Sequence, residues 1–517
     1  MKRPLAGAKR ERRSPESNLQ PLLFREDNVH KATNGRKDLT FLDLFCGCGG
    51  FSLGFSAAGF KCIGGIEIDD AAHETHSRMF PSSSSDTIPR DIRDVEASTF
   101  QTGAKDSGPH IIIGGPPCQP FTRVGRAKLR EVAQNAAAHI HDERVTYYEH
   151  YLRFIDQLRP LAFVMENVPD LCRFAGRNIA EEIAASAEEL GYEVRYTLLN
   201  AAWYGVPQTR ERVFVVGLQR DLAHIPIFPP KTHTIEVPRG YWTGRLSNGD
   251  IPVLPPHDHY STEVQELINA SPALTAADAI GDLPPIVEHL QHMEARRGAR
   301  RFVNPITYKG EATNHYQQLM RDWPNLATQG TPTDHVIRYT PRDYETFRLM
   351  SPGDQYPQAH EIALQRFAAA LTKEEKDSGS KPREGGQRYE ALKRTIVPPY
   401  DAKKFPNKWR KMDAKAPART IPAHIGKDSY SHIHYDSKQA RMISVREAAR
   451  LQSFPDSFRF SGSMNHAFRQ IGNSVPPLLA YAVAASVRSQ LAAAGILNQT
   501  QALPQNGISA LLSKEAA

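Results

Sequence analysis

Four short stretches carry side chains whose types and spacing suit covalent chemistry or ligand binding. In the run IIIGGPPCQPFT, an apolar segment ends at two prolines followed by Cys118. Pro116, Pro117 and Pro120 fix φ and remove N–H donors, so the thiol belongs to a stiff loop and not to a helix or an inner strand. A cysteine becomes a nucleophile when a helix N-terminus or nearby cations bring its pKa below ~8.5. Arg123 and Arg126 follow directly. A free cysteine taken alone is more often a small inert hydrophobe, and here the prolines and cations favour the reactive reading. Glu166, in the tripeptide ENV, closes the apolar run LAFVM. A carboxyl buried beside a ring nitrogen can keep or share a proton and act as an acid. In QTRER, Gln208, Arg210 and Arg212 alternate. In extended chain they share one face and aim three donor groups the same way, although a solvated charged strand end would read alike.

The remaining stretch is DLFCGCGGF, where Gly47, Gly49 and Gly50 let backbone approach a ligand closely at the end of an apolar run. Its spacing is GxGG and not the dinucleotide GxGxxG, and a bare glycine turn is weak evidence of a ligand. Some twenty residues on, Glu67 can accept both hydroxyl protons of a ribose. Asp91 and Ile92, in PRDIRDV, could offer an adenine a polar contact and an apolar wall. Each of these acids, taken alone, is more often a surface group than a ligand-binding one.

Elements must place these groups together. The run LTFLDLF reads as a strand, the glycines as a tight turn and FSLGFSAAGF as a helix. Further strands are expected at 60–68, 110–113, 161–165, 193–199 and 212–218, with helices near 147–158 and 177–190. Strands alternating with helices imply a mainly parallel sheet covered on both faces, with ligands at its carboxyl edge. From about 219 the rhythm fails: prolines multiply, periodicity is poor and basic clusters appear. Residues 381–416 hold eleven Lys and Arg against four Asp and Glu, a local excess equal to the +7 of the whole chain. After Ser444 the helical pattern returns in VREAARLQSF and then in the apolar run after GNSVPP.

The 517 residues suit two or three globular units at roughly 150 residues each. Hydrophobic residues at 40% and charged residues at 23% describe a soluble globular chain, and the +7 balance mildly favours a polyanionic partner. Five cysteines without a CxxC pair fit neither a disulfide framework nor a zinc site, so no metal is expected and a reducing compartment is. The basic N-terminus lacks an apolar h-region, and no stretch approaches the ~18 apolar residues of a membrane span, so export and embedding are not expected. Residues 1–38 read as a solvated basic arm.

Taken together, DLFCGCGGF, GGPPCQPF, ENV, QTRER, REAARLQSFPDSF and IGNSVPP occur in the order found in the DNA (cytosine-5)-methyltransferases. The chain resembles that family over about residues 41–218 and 417–490, roughly half its length. Departures are small: Cys46 and Cys48 in the glycine turn, and Thr122 where serine is common. The resemblance implies an α/β fold of the S-adenosylmethionine-dependent methyltransferase type. That is a Rossmann-like, mainly parallel seven-stranded sheet with a second, irregular target-recognition domain. On this basis 1–38 is the flexible arm, 39–218 the catalytic domain, 219–440 the target-recognition domain, 441–496 a segment returning to complete the catalytic domain, and 497–517 a tail.

The resemblance also implies S-adenosylmethionine as cofactor, held by Asp43, Phe45, Gly47, Gly49, Gly50, Glu67, Ile68, Asp91, Ile92, Pro116, Asn473 and Ser474. Phe45 would lie against the adenine, and Asn473 and Ser474 would close the pocket. Cys118 would be the thiolate that adds to cytosine, with Glu166 at N3, Arg212 at the O2 edge and Arg210 in support. Gln119, Arg123 and Gln208 would bind substrate, and 122–145 would be a mobile active-site loop. The expected partner is double-stranded DNA, with a cognate restriction endonuclease acting separately, no membrane, and a monomer in a prokaryotic cytoplasm associated with the nucleoid. An RNA cytosine-5 methyltransferase is the near alternative, but its usual Cys-Phe-Thr motif is missing from the long middle region. A non-catalytic DNA-binding regulator is disfavoured because Cys118, Glu166 and both arginines are present. An oxidoreductase suggested by the glycine turn alone leaves PPCQ and QTRER unexplained.

Overall fold

The computed structural model describes residues 39–81, 89–101, 108–117, 146–235, 253–262, 264–291, 298–300, 307–308, 310–324, 326, 331–426, 430–497 and 508. The basic arm, Cys118, Gln119, Arg123 and the 122–145 loop lie outside the described residues. Chain order begins β1 (Thr40–Leu44), α1 (Gly50–Ala57), β2 (Lys61–Ile66), α2 (Asp70–Met79), β3 (Ile111–Gly114), α3 (Tyr147–Leu158) and β4 (Ala162–Asn167). It continues with α4 (Ile179–Glu189), β5 (Tyr192–Asn200), β6 (Gln208–Thr209) and β7 (Glu211–Gln219). The central runs IIIG and AFVMEN are buried at every position, as strands covered on both faces must be.

Six strands form the main sheet in the order β2-β1-β3-β4-β7-β5, one fewer than the expected seven among the described residues. β1 pairs in parallel with β2 and β3, and β3 with β4. β7 runs antiparallel to both β4 and β5. The reversal has a local cause: β5 reaches β7 through a short 3₁₀ turn, Ala201–Tyr204, and β6, with no crossover helix to return the chain in parallel. Helices α3 and α4 supply Tyr151, Phe154, Ile155, Ile183 and Ala184 to the core that also takes Phe163, Met165, Val213 and Val215. The Tyr151 hydroxyl lies 3.1 Å from the Ile112 carbonyl and 3.0 Å from that of Val164, so even this core phenol is satisfied.

Beyond Gln219 the chain is less irregular than its sequence suggests. It contains helices Tyr344–Leu349, Tyr356–Ser378 and Gln387–Ile396, and strand Trp409–Lys411 pairs with Tyr430–Ile433. Strand Ala418–Arg419 pairs in parallel with β6, which ties this region to the chain that enters β7.

Among the described residues, helices α5 (Val445–Leu451), α6 (Met464–Asn473) and α7 (Pro477–Ala493) follow. A capping box between Ser444 and Glu447 starts α5, and Pro476 and Pro477 start α7 where an N–H would be idle. α7 lies against α1 so closely that a Cβ at Gly54 would sit 2.4 Å from the Ala480 Cβ. Among the described residues no helix is long and apolar enough to cross a membrane.

Candidate active site at the carboxyl edge of the sheet

β3 and β4 are adjacent and parallel, with Gly114 opposite Met165, so the GGPP loop and the ENV tripeptide leave the sheet side by side. The Asn167 side-chain amide donates to the Pro116 carbonyl at 3.2 Å and fixes the loop against β4. Glu166 is only 7% exposed, and its Oε2 would meet a Cβ at Gly115 at 3.3 Å. Across the antiparallel pairing β7 begins, and Arg212 Nε reaches 2.9 Å from Glu166 Oε1. That contact is close but not aligned as a hydrogen bond, which leaves the oxygen able to accept another partner. Burial raises the Glu166 carboxyl above its ordinary pKa, against the opposing charges of Arg212 and Arg210. The carboxyl therefore holds a proton more readily than a free glutamate would. Cys118, outside the described residues, directly follows Pro117 of the same loop.

The expected common face of QTRER is realised differently. Only Arg212 turns to Glu166; Gln208, expected to bind substrate, is fully buried. Its Nε2 donates to the Leu451 carbonyl at 3.0 Å and to Gln452 Oε1 at 2.6 Å, and its Oε1 accepts the Ile421 N–H at 2.9 Å. Arg210 is buried too and donates to the carbonyls of Gly472 (3.1 Å) and Ser474 (3.0 Å). These two side chains fasten the C-terminal segment to the sheet. The cause is the chain return itself: residues 418–421 and 472–474 supply carbonyl and N–H groups that no local sequence pattern announces.

At the edge of β1 the glycine turn opens. Phe45, Gly47 and Gly49 all have positive φ (60°, 54° and 94°), and a Cβ at Gly47 would meet nothing within 4 Å. Glu67 Oε2 accepts the Gly47 N–H at 2.9 Å and its Oε1 accepts the Asp69 N–H at 2.8 Å. Burial raises its pKa, and these two N–H donors pull the other way. Ile68, next to it, is 63% exposed although large and apolar. The Phe45 ring meets Tyr147 edge-on at 5.8 Å, and the Arg93 guanidinium lies 5.7 Å from the Tyr147 ring centre. Asp91 is engaged by Arg93 through both carboxylate oxygens, and that hydrogen-bonded arginine holds its pKa low. Ile92 is buried in the core. From the other side, Ser474 Oγ stands 2.0 Å from where a Cβ at Gly50 would be, so the C-terminal segment roofs the start of α1. Asn473, the last residue of α6, remains exposed. Asp43 lies underneath the turn, buried, accepting from Ser52 Oγ at 2.5 Å.

The pattern of the C-5 cytosine-specific DNA methylases matches residues 39–489. The chain belongs to that family. It is a DNA cytosine-5 methyltransferase, and it is similar along nearly its whole length to curated relatives. M.OihORF3336P of Oceanobacillus iheyensis, assigned as a type II methyltransferase, is 37% identical over 469 residues, covering 90% of this chain and 98% of the relative. The type II methyltransferase M.AgeI of Thalassovita gelatinovora is 30% identical over 460 residues, covering 86% and 98%. In fold, the chain is similar to a prophage-encoded E. coli protein assigned as a DNA modification methyltransferase, with a TM-score of 0.52 at 22% identity, covering 88% of this chain and 100% of that one.

Sequence reasoning missed several residues of this methyltransferase. Ser52 Oγ links Asp43 to His76 Nε2 at 3.1 Å in a buried chain of polar groups, and burial raises Asp43 to about 8 and lowers His76 to about 3. Tyr147, which the sequence marks only as a helix start, sets its ring against Phe45. Arg441, Arg446 and Arg450 are fully buried, where arginine is rarely found without partners. Arg450 joins Asp456 (2.5 Å) and Asp282 (3.1 Å), and Arg441 joins Glu447 (2.6 Å). The spacing of the charges in REAARLQSFPDSF was the available signal.

Proposed function

We propose that the chain transfers a methyl group from S-adenosylmethionine to carbon 5 of a cytosine rotated out of a specific double-stranded DNA sequence, through a transient bond between Cys118 and carbon 6. The observation that carries this reading is the buried Glu166, set between Arg212 and Gly115 beside the loop that leads into Cys118. Carbon 5 of cytosine is a weak nucleophile, and addition of a thiolate at carbon 6 converts the ring to an enamine that attacks through carbon 5. As the sulfur adds, electron density moves toward N3; Glu166 donates or shares its proton there, and Arg212 holds the O2 edge. After carbon 5 is methylated its proton leaves to water, the carbon 6–sulfur bond breaks with its electrons returning to Cys118, and aromaticity is restored. None of these atoms is reachable in a stacked duplex, so rotation of the base out of the helix, at about a few kcal/mol, precedes the chemistry.

The cofactor fits the glycine turn. Bound there, S-adenosylmethionine supplies an electrophilic methyl group on a sulfonium. Glu67 would accept the ribose hydroxyls with the lone pairs its two N–H donors leave free, Ile68 and Phe45 would cover the adenine, and Ser474 and Asn473 would close the turn from above. Asp91, its pKa held low by the pairing with Arg93, would accept from the adenine amino group. Gln208 and Arg210 act by holding the roof in place. In the same reading 219–440 recognises the target and 441–496 completes the catalytic domain. The chain works as a monomer in a prokaryotic cytoplasm, with a separate endonuclease of matching specificity.

The Cys118→Ala variant tests the reading. It is expected to bind duplex DNA and cofactor like the parent while methyl transfer from labelled cofactor is lost. Retained turnover would refute the nucleophile, and label found in transfer RNA alone would refute the DNA substrate.

A further inference from the structure

We propose that Arg93 is a positioning residue that makes the nucleoside end of the site selective for a purine with an exocyclic amino group, by pinning the Asp91 carboxylate and the Tyr147 ring at its edge. The proposal rests on the reading that the glycine turn holds S-adenosylmethionine, and it adds the residue that enforces the choice of base. The Arg90 N–H donates to the Glu67 carbonyl at 2.8 Å, so Asp91 follows directly beside the residue read as the ribose acceptor. Asp91 caps the 3₁₀ turn Ile92–Asp94 and accepts the Arg93 N–H at 3.0 Å. The Arg93 side chain folds back onto the same carboxylate: Nε lies 3.1 Å from both Oδ1 and Oδ2, and Nη2 donates to Oδ2 at 2.8 Å. Three N–H donors thus reach Asp91 among the described residues, and a carboxylate has about four lone-pair positions, so one more donor fits. The arginine hydrogen bond holds the Asp91 pKa low against burial, and His150 of α3 adds a weaker pull. A carboxylate has no proton to give. An amino group fits the open position and a carbonyl oxygen does not.

The same guanidinium also has an aromatic neighbour. It lies 5.7 Å from the Tyr147 ring centre, within reach of a cation–π attraction, and Tyr147 meets Phe45 edge-on at 5.8 Å. One arginine therefore joins the polar edge of the pocket, Asp91, to its aromatic edge, Tyr147 and Phe45. The backbone beneath is anchored separately. Arg153 of α3 donates to the carbonyls of Ile92 (2.9 Å) and Val95 (3.1 Å), which holds the turn against the helix that carries Tyr147. The Arg93 side chain is 47% exposed, so its removal frees the Asp91 carboxylate and the Tyr147 ring without releasing the turn. A side chain already ordered when the ligand arrives improves binding by roughly two- to twelve-fold.

The test is isothermal titration calorimetry of the full chain at neutral pH with S-adenosylhomocysteine and with S-inosylhomocysteine, whose base has a carbonyl oxygen in place of the amino group. The parent should prefer the adenine ligand by about tenfold or more, the scale of one hydrogen bond to a charged group. Arg93→Ala is expected to bind S-adenosylhomocysteine about fivefold more weakly. It should bind S-inosylhomocysteine no more weakly than the parent does, because the released carboxylate can turn away from the oxygen. Arg93→Lys keeps the charge without the planar fork and should fall between the two; if Arg93→Ala does not fold in circular dichroism, this variant carries the test with a smaller change in the same direction. Asp94→Ala, an exposed neighbour in the same turn, should leave the preference as it was. Equal weakening of both ligands by the Arg93 variants, a preference that drops as much in Asp94→Ala, or a parent that does not prefer adenine would overturn the proposal and leave the cofactor reading standing. A parent that binds neither ligand would remove that reading and the proposal together.

Discussion

At the scale of single residues the site depends on groups kept in unusual protonation states by burial. Asp43 shows this most clearly. Buried under the glycine turn with only Ser52 donating to it, its carboxyl is pushed up to about 8. In the unfolded chain it titrates near ~3.9, so between about 4 and 8 the folded state binds a proton the unfolded chain does not. That contribution to stability is fully present below about 4 and is lost as pH rises through about 8. Asp43→Asn, neutral at every pH, removes the dependence. Thermal melts from about pH 5 to 9 should fall more steeply for the parent than for the variant, and parallel curves would contradict the assignment. Glu166 follows the same logic, since burial favours its protonated form, the form that the proposed donor to N3 requires. Its type and its place after an apolar run were legible in the sequence. Its partner was not: Arg212 reaches it only because β7 reverses beside β4, a pairing that follows from a missing crossover helix.

At the scale of elements, α5 is the joint between the middle region and the catalytic sheet. Arg450 is fully buried and bridges Asp456, just beyond α5, to Asp282 of the middle region, and Tyr308 donates to the same Asp456 carboxylate. Burial alone would raise the Asp456 pKa, but the Arg450 charge and hydrogen bond outweigh it and hold the carboxylate below its ordinary value. Asp456→Asn leaves the shape nearly unchanged and the guanidinium with one fewer counter-charge. Breaking such a pair from one side costs about 3–5 kcal/mol, which should appear as a lower urea midpoint, and an unchanged midpoint would show that the joint carries little. The strands and flanking helices of the catalytic half were legible because each apolar run stops at a glycine, a proline or a polar pair such as Glu166-Asn167 or Asp69-Asp70. Helix Tyr356–Ser378 was not, because it buries only Tyr356, Ala359, Ala363 and Phe367 and leaves its second half in solvent, so the apolar period is faint. Its ends were written more plainly, in the Gln355 and Gln358 capping box, Pro357 and the left-handed Gly379. Gln208 misled for the opposite reason: a polar residue next to arginines looks exposed until a distant segment folds over it.

At the scale of the whole molecule, two long-range returns assemble one site: 418–421 along β6, and 472–474 over the glycine turn. The order of motifs along the chain revealed that these parts belong together, and the three-dimensional fold supplies the hydrogen bonds that join them. The net charge of +7, concentrated in 381–416, sits on the region proposed to meet DNA, so affinity for duplex should fall steeply with salt. The central claim is a bond between one sulfur and one ring carbon. It is tested most directly by incubating the chain and S-adenosylmethionine with a duplex in which the target cytosine carries fluorine at carbon 5. Fluorine cannot leave as a proton does, so the ring stays attached after methylation. Intact mass spectrometry should then show protein plus methylated DNA strand as one species, absent for Cys118→Ala. A mass equal to free protein for the parent chain, with the duplex bound and the cofactor consumed, would contradict the account.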